Sequence, residues 1–577
     1  MPFLLRNIRL DLDAPLDDLP EAIARRLRVP RHAIRAYAIV RRSIDARDKD
    51  DIHLRFHVEL NLDEPLAAQR KRLGRLRSNE AKWIDPIVDL PPDEGSETLK
   101  QRPIIIGFGP AGMFAALRLA ELGYRPIVLE RGRDIRRRHK DILQTFYRDR
   151  VFTPESNLLF GEGGAGAYSD GKLYTRVRDK LVGTILLKFC EHGADPDILI
   201  DARPHIGSDR LPTICGHLRE KIESLGGEVR FEARVEDFEC HGDRLLSLTV
   251  SGERIEGAPV VLAIGHSARD TIRMLARRGV RLDPKPFQIG VRIEHSRETV
   301  DRWQYGGLAG HVGLGAAEYH VVAKGAAGSL GDLFSFCMCP GGQILPTNES
   351  AGLVATNGAS KASRTDGFSN SGLVITIDPA SLTDGRWLRR RQEVLKRLTP
   401  LTETQGGKVP PADRDSTGSA SAAAMIALAG LDYQEFWERL AFAATEESYR
   451  VPVQRTADFL NGKASDGSCE TSYPLGSMWH DLRAILPSDV TDSLARGLPM
   501  LERGMAGFAG NEGIITAPET RASAPVRITR DPTSRQSVNT SDLYPVGEGA
   551  GYAGGIVSAA IDGWRTADVI ASRFARP

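Results

Sequence analysis

Residues 102–123 read RPIIIGFGPAGMFAALRLAELG, and this stretch decides the fold of the chain. Its three consecutive isoleucines, residues 104–106, form an apolar, β-branched run that is typical of a parallel strand buried on both faces. Gly107, Gly109 and Gly112 then follow with the spacing G-x-G-x-x-G. In such a turn the first glycine permits the bend, the second lets the backbone approach a pyrophosphate, and the third lets helix and strand pack closely. The stretch therefore predicts a strand, a phosphate-binding turn and a helix.

The helix predicted after this turn begins at Pro110, whose missing N–H costs little at a first helical position, and ends near Gly123. Its N-terminus offers unpaired N–H groups and the positive end of the helix dipole to a phosphate. A second apolar strand, residues 126–129, ends at Glu130, 18 residues after Gly112. A carboxylate there is placed to accept hydrogen bonds from ribose hydroxyls, and its charge would repel a 2′-phosphate. We therefore predict a dinucleotide site for FAD or NAD rather than for NADP.

The spacing G-x-G-x-x-G recurs in FGEGGAGAYSDGKL (160–173) and in GAGYAG (549–554). No buried strand precedes the first copy, and the chain ends too soon after the second copy to form another βαβ unit. Neither copy is therefore interpreted as a separate nucleotide domain, and a reductase with two dinucleotide domains is not expected.

The composition excludes several classes of protein. The 577 residues carry a net charge of +1, which favours neither a nucleic-acid-binding protein nor an acidic tail. The six cysteines are too few for a disulfide framework at this length, and none has the spacing of a zinc site, so no metal is expected. The start of the sequence lacks the pattern of a signal peptide, and no apolar run reaches the roughly 18 residues of a membrane span. We predict a soluble, cytoplasmic protein with no membrane partner.

Seven segments distributed over the chain carry a resemblance to known proteins. They are RRSIDARDK (41–49), GFGPAGMFAALRLAELGYRPIVLERG (107–132), GEGGAGAYSDGKLYTR (161–176), FQIGVRIEH (287–295), FSFCMCPGG (334–342), ETRASAPVRITR (519–530) and LYPVGEGAGYAGGIVSAAIDG (543–563). With these segments the chain resembles the large group of FAD-dependent oxidoreductases built like glutathione reductase and p-hydroxybenzoate hydroxylase. Within that group it is most similar to a bacterial family of uncharacterised FAD-dependent dehydrogenases. The resemblance implies FAD as the cofactor, and no His or Cys suggests a covalent link to it.

The predicted fold class is α/β. A Rossmann-like FAD-binding domain, made of a parallel sheet and a β-meander, is expected to carry an inserted α+β substrate or cap domain and to follow a small N-terminal α+β domain. The predicted segments are an N-terminal module (1–85), a linker (86–101), the first part of the FAD-binding domain (102–285), the substrate or cap domain (286–510) and the C-terminal part of the FAD-binding domain (511–577).

Several elements are predicted inside these segments. The N-terminal module should contain strands at 3–12, 34–43 and 52–62 and a helix at 19–28, because apolar and polar residues alternate in the strands. The strands around 229–231, 245–250 and 260–264 are expected to form a meander that returns to the nucleotide sheet. The segment 357–370 is expected to be a loop.

The resemblance also implies which residues contact FAD. On the adenosine and pyrophosphate side these are Gly107, Gly109, Pro110, Ala111, Gly112, Glu130, Arg131, Val235, Ala263 and Gly265. From the glycine loop towards the edge of the isoalloxazine ring they are Gly163, Gly164, Lys172 and Leu173. Beside the ribityl chain and the flavin ring they are Gly547, Glu548, Gly554, Gly555 and Ile556.

The C-terminal glycine segment has a physical reason to face the flavin. A helix that begins near Gly554 would direct its N–H groups at the N1/C2=O side of the ring, where reduced flavin gathers negative charge. Glycines in that turn let the backbone come close. The alternative is a glycine-rich helix cap that serves packing only.

No catalytic acid or base stands out, because the flavin itself performs the electron transfer. Cys337 and Cys339 alternate along a predicted strand, which would place both side chains on one face. A redox-active or substrate-facing thiol pair and two buried structural thiols are both open interpretations. His266, directly after a nucleotide strand, either contacts FAD or caps a turn. These three residues are the catalytic candidates.

Other charged residues have two interpretations each. RRRHK (136–140) is either a solvated helix face or a site that steers an anionic ligand. Arg292 and Glu294 are expected to form a salt bridge or an exposed face rather than to act in catalysis. Arg521 and Arg527 are candidates for binding an anionic substrate.

Two functions follow as hypotheses. The first is an FAD-dependent dehydrogenase or reductase for a small-molecule substrate, in which the flavin takes a hydride from that substrate or from transient NAD(P)H. The second is a nucleic-acid- or protein-binding factor with FAD in a structural or auxiliary role. Its support is the N-terminal module with Arg41, Arg42 and Arg47, together with the basic stretch 69–77. Aspartates at 45–51 offset those charges, so nucleic acid is the less expected partner.

Overall fold

The fold combines helices with parallel and antiparallel sheets, in a computed structural model that describes residues 2–77, 79–84, 91–175, 177–383 and 421–576. The strands in chain order are β1 (Phe3–Asp11), β2 (Ile34–Asp45), β3 (His53–Leu62), β4 (Ala81–Trp83), β5 (Ile104–Ile106), β6 (Ile127–Leu129), β7 (Glu228–Arg230), β8 (Val235–His241), β9 (Arg244–Val250), β10 (Glu253–Glu256), β11 (Val260–Leu262), β12 (Leu282–Pro284), β13 (Phe287–Ser296), β14 (Val322–Ala323), β15 (Leu333–Cys339), β16 (Gly342–Pro346), β17 (Thr356–Ser360), β18 (Phe368–Ile377), β19 (Val451–Arg455), β20 (Ser477–Trp479), β21 (Ile514–Glu519), β22 (Val526–Ile528) and β23 (Leu543–Pro545).

The helices alternate with these strands over most of the described chain. In chain order they are α1 (Leu19–Leu27), α2 (Leu66–Leu73), α3 (Pro110–Glu121), α4 (Ile135–Lys140), α5 (Leu181–Glu191), α6 (Leu211–Ser224), α7 (Arg269–Arg277), α8 (Arg297–Tyr305), α9 (Ala422–Ala444), α10 (Thr456–Leu460), α11 (Leu482–Ile485), α12 (Ser488–Glu502) and α13 (Ile556–Arg573). Among the helices described, none combines the length and the apolar character that crossing a membrane requires.

A parallel sheet of five strands, in the order β23–β11–β5–β6–β7, forms the centre of the fold. Ile105 of its middle strand packs on one face with residues of α3 and α13. Ile104 and Ile106 pack on the other face with the antiparallel strands β8 and β9 and with α7. The isoleucine run is buried on both sides for this reason. The strand, turn and helix predicted from residues 102–123 are confirmed.

The β-meander consists of β8, β9 and β10, which pair antiparallel in the order β10–β9–β8. The prediction assigned residues 229–231 to this meander, and that assignment is wrong. β7 instead extends the parallel sheet beside β6. A long connection that contains α4, α5 and α6 joins β6 to β7, and a crossover of this length can return the chain as a parallel strand, which a short hairpin turn cannot.

Helix α3 makes two contacts that are too close to admit a side chain, one with α13 and one with the turn that precedes α3. A Cβ atom on Gly563 of α13 would lie 1.9 Å from the carbonyl oxygen of Ala111 in α3. A Cβ atom on Gly112 would likewise lie 2.0 Å from the carbonyl oxygen of Gly107. The third glycine of the G-x-G-x-x-G turn therefore serves the close helix–strand packing that the motif predicts.

A mixed sheet of seven strands, in the order β14–β15–β18–β13–β21–β19–β20, forms a second layer of the molecule. Helices α9 and α12 supply much of the apolar cluster that packs on it. The loop predicted at 357–370 is confirmed only for its middle, residues 361–367, because the segment also contains most of β17 and the start of β18. The strand residues are mostly buried, and there packing overrides the local turn preference of small and polar residues. Strand β21 pairs with β13 and β19, whereas the predicted boundary after residue 510 groups it with the C-terminal segment.

The N-terminal module has the order β-α-β-β-α-β and a four-stranded antiparallel sheet, β2–β3–β1–β4. The predicted strands and helix lie within two residues of the observed ones. Arg42 of β2 ties the module to the rest of the chain through ion pairs with Asp197 and Asp201, both 2.8 Å long. The predicted linker (86–101) falls in part outside the described residues.

The contact between α3 and α13 yields a stability test with an internal control. Gly563→Ala should destabilise the protein by about 1–3 kcal/mol, because its methyl group would overlap the Ala111 carbonyl. Gly183→Ala in α5 has no atom within 4 Å of the added methyl group and should instead stabilise the protein by about 0.5–1 kcal/mol. Urea unfolding followed by circular dichroism measures both. Equal shifts of the same sign would contradict the close packing.

Candidate functional site

Glycine-bearing segments meet at the carboxyl end of the parallel sheet. The turn after β5 lies against the glycine loop 161–168, where a Cβ on Gly109 would be 3.9 Å from the Cα of Gly164. The turn after β11 lies against the segment before α13, where a Cβ on Gly549 would be 2.2 Å from the carbonyl oxygen of Gly265. Parallel α/β sheets bind their ligands at this edge.

The Glu130 carboxylate joins three backbone segments: the turn after β5, the residues directly after β6 and the glycine loop. This carboxylate is buried and accepts hydrogen bonds from the N–H groups of Phe108, Gly132 and Gly161, each 2.9 Å long. Two of the three bonds go to Oε1 and one to Oε2, so one lone-pair position on Oε2 remains for a ribose hydroxyl. The carboxylate therefore shapes the first turn and the glycine loop, and the ribose contact predicted for Glu130 stays a prediction.

Arg131 belongs to an ion network rather than to an open binding surface. Its guanidinium donates to both carboxylate oxygens of Glu155 and of Asp270, at 2.6–3.1 Å. The same group lies 4.1 Å from the ring centroid of Phe160. The adenosine contact that the resemblance implies for Arg131 stays a prediction.

Arg138, inside the RRRHK run, is a structural residue that the sequence analysis missed. The side chain is fully buried and donates to the carbonyl oxygens of Asn157 (2.8 Å), Glu162 (2.6 Å) and Gly164 (2.9 Å). Burial lowers the pKa of Arg138. The neighbouring Arg136 is exposed, so the solvated-face interpretation holds for only part of this run. The sequence could have indicated this, because successive residues of a helix point in different directions and one arginine of the run can face the interior.

Asp562 anchors the C-terminal glycine segment and was also missed. Its carboxylate accepts hydrogen bonds from the N–H of Gly547 (2.8 Å) and from the guanidiniums of Arg530 (2.7 and 3.0 Å) and Arg535. Ion pairs outweigh the effect of burial and lower the pKa of Asp562. A single acid in the apolar run IVSAAIDGW was the available signal.

The cradle fits an elongated, anionic dinucleotide. Gly265, Gly554 and Gly555 have no atom within 4 Å of the position of a Cβ, so a ligand can reach their backbone. The N-terminus of α3 lies at one end of the cradle. The N-terminus of α13 lies near it, because the position of a Cβ on Gly166 is 3.1 Å from Pro110 and 3.9 Å from Ile556. Two positive helix ends beside one glycine loop suit a cofactor that carries phosphate and a ring that can become anionic, as in FAD.

His266 and Glu548 lie together beside this cradle. The imidazole Nδ1 is 3.5 Å from the Glu548 carboxylate. The other ring nitrogen, Nε2, is buried and has no hydrogen-bond partner among the described residues. A histidine that merely capped a turn would use a ring nitrogen for that purpose, so the geometry favours a polar contact to a ligand or water.

The remaining predicted contacts differ in their surroundings. Val235 begins β8 and is buried in the apolar cluster behind the sheet. Ala263 packs beneath the first turn, with its Cβ 3.2 Å from the position of a Cβ on Gly112. Leu173 is buried in the core around α3. Ile556 begins α13 and contacts the position of a Cβ on Gly166 at 3.9 Å.

Lys172 connects the glycine loop to the seven-stranded sheet. Its ammonium lies 3.3 Å from Asp170, 4.0 Å from the Sγ of Cys337 and 3.7 Å from the Sγ of Cys339, and it donates to the carbonyl oxygen of Met338. Burial alone would lower the pKa of Lys172, but the Asp170 carboxylate outweighs it and raises that pKa. The structure thus brings a predicted flavin-edge residue to the two predicted cysteines.

The two cysteines share one environment, although not through regular strand alternation. The pairing of β15 with β18 is irregular between Phe336 and Cys339, and Cys337 has a left-handed φ of 42°. A hydrogen bond from Cys339, followed by the charges of Lys172 and Arg292, lowers the pKa of the Cys337 thiol to about 5. Burial raises the pKa of Cys339. Cys337 is therefore the more acidic thiol of the pair.

Arg292 and Glu294 are buried, so the exposed-face alternative is wrong, and the salt-bridge alternative is correct for Arg292. The face of β13 that carries them is covered by other segments, since Arg292 donates to Asn357 of β17 at 3.3 Å. Arg292 pairs with Glu519 at 3.4 Å and donates to the carbonyl oxygen of Cys337 at 2.7 Å. Burial raises the pKa of Glu519 to about 7 despite this arginine. The backbone N–H of Ser472 donates to Glu294 at 3.0 Å.

Arg521 serves an internal ion cluster. Its guanidinium is buried and pairs with Glu438 at 3.0 Å and with Glu349, and Arg269 pairs with both of these carboxylates at 2.8 Å. Arg527 lies over the Tyr552 ring at 5.5 Å. The cluster occupies Arg521 with two carboxylates, which disfavours the binding of an anionic substrate there.

Two family models match the chain. One, for the C-terminal domain of FAD-dependent proteins, matches residues 286–398 and 415–522. The other, for a domain of unknown function, matches residues 4–61. An uncharacterized protein of Clostridium beijerinckii is 37% identical over 580 residues, and the match covers 100% of both chains.

Solved structures give weaker likenesses. FrdA of E. coli quinol fumarate reductase is 13% identical, with 82% of this chain and 70% of FrdA covered and a TM-score of 0.33. Glycine oxidase of Bacillus cereus is 10% identical, with 82% of this chain and 95% of the oxidase covered and a TM-score of 0.31. At these TM-scores neither likeness bears on function.

The role of Glu130 as a backbone anchor can be measured. Glu130→Ala leaves three buried N–H groups unpaired, which should cost about 3 kcal/mol or more in the free energy of unfolding. Chymotrypsin should then cleave faster at the aromatic residues of segment 152–160. Glu155→Ala, which removes a partly exposed ion pair in the same region, should cost less than about 1 kcal/mol. Comparable losses in the two variants would contradict the anchoring role.

Proposed function

The chain belongs to a family of FAD-dependent flavoproteins, and we propose that it is an oxidoreductase that moves a hydride through non-covalent FAD. The observation that carries the proposal is the meeting of the glycine segments with two helix N-termini at one edge of the parallel sheet. Open glycine backbone and unpaired N–H groups suit a pyrophosphate and a ring that becomes anionic on reduction.

The residues of the cradle would divide the cofactor between them. The first turn, residues 107–112, would bind the pyrophosphate, Glu130 a ribose hydroxyl, and the open Gly554 and Gly555 the flavin ring. FAD, when bound, supplies the ring that exchanges the hydride. The N–H groups at the start of α13 would stabilise negative charge on that ring, and loop 161–168 would exclude water.

We further propose the seven-stranded sheet as the substrate or cap region. Lys172, Cys337, Arg292 and Glu519 form its polar face towards the glycine loop. Arg292 and Glu519 are buried, and Lys172 and Cys337 are partly buried. The pKa values of Lys172, Cys337 and Glu519 are strongly shifted, and groups with such shifts concentrate at functional sites. A small-molecule substrate would bind there, and Cys337, Cys339 and His266 remain the catalytic candidates.

The electron donor has two candidates. The organic substrate itself can reduce the flavin, or NAD(P)H can do so after binding transiently across the cap. The described residues hold one parallel sheet with a dinucleotide turn, so NAD(P)H would lack a domain of its own.

The alternative function, binding of nucleic acid or protein through the N-terminal module, gains little support from charge. Two of the three arginines that motivated it form ion pairs within the chain, Arg42 with Asp197 and Asp201 and Arg47 with Asp45. The module therefore suits a docking role inside the molecule better than a polyanion site.

The absorption spectrum of the purified protein tests the proposal directly. Bound flavin should absorb near about 450 nm, and anaerobic NADH or NADPH should bleach that band if a nicotinamide nucleotide is the donor. Flavin that neither nucleotide reduces would identify the organic substrate as the donor. A protein that takes up no flavin, even after reconstitution with FAD, would contradict the proposed function.

A substitution in the first turn should separate FAD binding from folding. Gly109 has an extended backbone, and a Cβ there would meet only the Cα of Gly164 at 3.9 Å. Gly109→Val should therefore fold but raise the Kd for FAD by about 100-fold or more, because the side chain fills the pyrophosphate position. Gly367→Val, at an exposed glycine with no atom within 4 Å, serves as the control and should keep the wild-type Kd. Fluorescence titration with FAD measures both.

A further inference from the structure

We infer that Cys337 and Cys339 form a redox-active pair that exchanges electrons with a disulfide substrate. The inference deepens the proposed function, because it names the substrate class of the polar face beside the FAD cradle. It depends on geometry within the chain, and its test does not require bound flavin.

Cys337 is suited to attack. Its side chain is only partly buried, whereas Cys339 is completely buried. The Lys172 ammonium, 4.0 Å from its Sγ, supplies the positive charge that favours a thiolate. Arg292 adds a second cation at close range by donating to the carbonyl oxygen of Cys337 at 2.7 Å. The thiol closer to solvent is therefore the one held as the nucleophile.

Cys339 is suited to resolve a mixed disulfide. Its Sγ lies 3.7 Å from Lys172, 3.8 Å from Arg292 and 3.3 Å from the carbonyl oxygen of Cys337. The same two cations can stabilise its thiolate once Cys337 has been consumed. Because Cys339 is buried, a bulky disulfide cannot reach it directly, which sets the order of the two steps.

The backbone brings the two sulfurs together. Residues two apart in a regular strand are separated by about 6.6 Å between Cα atoms, inside the range that a disulfide bridges. Both sulfurs lie within 4.0 Å of the Lys172 ammonium, and the Cys339 Sγ donates to the carbonyl oxygen of Cys337 at 3.3 Å. In this stretch the pairing of β15 is irregular and Cys337 has a left-handed φ of 42°. A left-handed conformation costs energy in a non-glycine residue, and such costs concentrate at functional positions.

Groups from four parts of the chain set the charge around Cys337. They are Asp170, Lys172 and Tyr174 after the glycine loop, Arg292 on β13, Glu519 on β21 and Cys339 on its own strand. The four cysteines outside the pair have raised pKa values, to about 12 for Cys215, and burial is the largest cause for each. Cys337 is thus distinguished from them by its lowered pKa.

The proposed exchange has two balanced steps. The Cys337 thiolate attacks one sulfur of a disulfide R–S–S–R, which forms a Cys337–S–S–R bond and releases R–S⁻. Cys339 then loses its proton to solvent and attacks Cys337 Sγ, which forms the Cys337–Cys339 disulfide and releases the second R–S⁻. Overall the two cysteines lose two electrons, Cys339 loses one proton to solvent, and the substrate disulfide gains both electrons and leaves as two R–S⁻.

The test uses the full-length protein and bis(2-hydroxyethyl) disulfide as a small neutral probe, with peptide mass spectrometry as the readout. Wild-type protein should convert the peptide that contains both cysteines to its internal disulfide. Cys339→Ser should accumulate the mixed disulfide on Cys337, and Cys337→Ser should form neither product. Cys469→Ser, at another partly buried cysteine, should behave like the wild type.

Two further measurements test the reactivity of Cys337 while both cysteines are present. The rate of Cys337 alkylation by iodoacetamide in wild-type protein should rise with pH around a midpoint near 5, whereas an ordinary thiol titrates near about 8.5. Lys172→Met should slow the reaction of Cys337 with the probe by about tenfold or more and leave the exposed Cys240 unchanged.

Two results would overturn the inference. One is a Cys337 that stays unmodified in Cys339→Ser at probe concentrations that modify Cys240. The other is an alkylation midpoint for Cys337 in the range of an ordinary thiol. A protein that shows the exchange but binds no FAD would retain the thiol pair and refute the proposed flavin function, so the two failures are distinguishable.

Discussion

The candidate site depends on one buried carboxylate, Glu130. A buried charge is costly unless it is fully hydrogen-bonded, and this one receives N–H groups from three separate stretches of chain. Arg138, which carries the opposite charge, has the complementary role: it donates hydrogen bonds to three carbonyl oxygens around the same glycine loop. Glu130 thus accepts from the N–H of Gly161 at the start of the loop, and Arg138 donates to the carbonyl oxygens of Glu162 and Gly164. These contacts hold the loop, which includes a short 3-10 helix at Gly164–Tyr168, against the first turn.

The polar cluster around Lys172 shows how the second sheet is coupled to this edge. Lys172 follows the glycine loop by a few residues, yet its ammonium lies among the groups of β15. Arg292 on β13 and Glu519 on β21 continue the cluster across the seven-stranded sheet. Opposite charges alternate through it, so each buried ion has a partner. Substrate chemistry is proposed at this junction because it is the polar region between the two sheets.

The pattern of neighbouring residues in the sequence correctly predicted the strand and helix that depend mainly on those neighbours. The isoleucine run 104–106 became a strand buried on both faces, and the helix after it begins at Pro110 as expected. Prediction failed where distant partners decide. Residues 357–360 and 368–370 are polar or small for the most part, but neighbouring strands recruit them into two sheets and leave only 361–367 as a loop. Arg292 alternates with apolar residues as a half-exposed strand would, yet Asn357 and the Cys337 carbonyl cover its face. The pair of cysteines was found from spacing, whereas the irregular pairing of their strand was not.

The sequence by itself determined the parallel strand, the glycine turn, the helix that follows them and the elements of the N-terminal module, because each depends on neighbours within a few positions. It also supplied the open glycines of the cradle, Gly265, Gly554 and Gly555, as candidates. Only the tertiary structure decided that Glu130 and Arg138 organise the glycine loop, that Asp562 anchors the C-terminal segment, and that Lys172 meets Cys337 and Cys339. These contacts join residues far apart in the chain, and a hydrogen bond or ion pair between such residues leaves no periodic trace in the sequence.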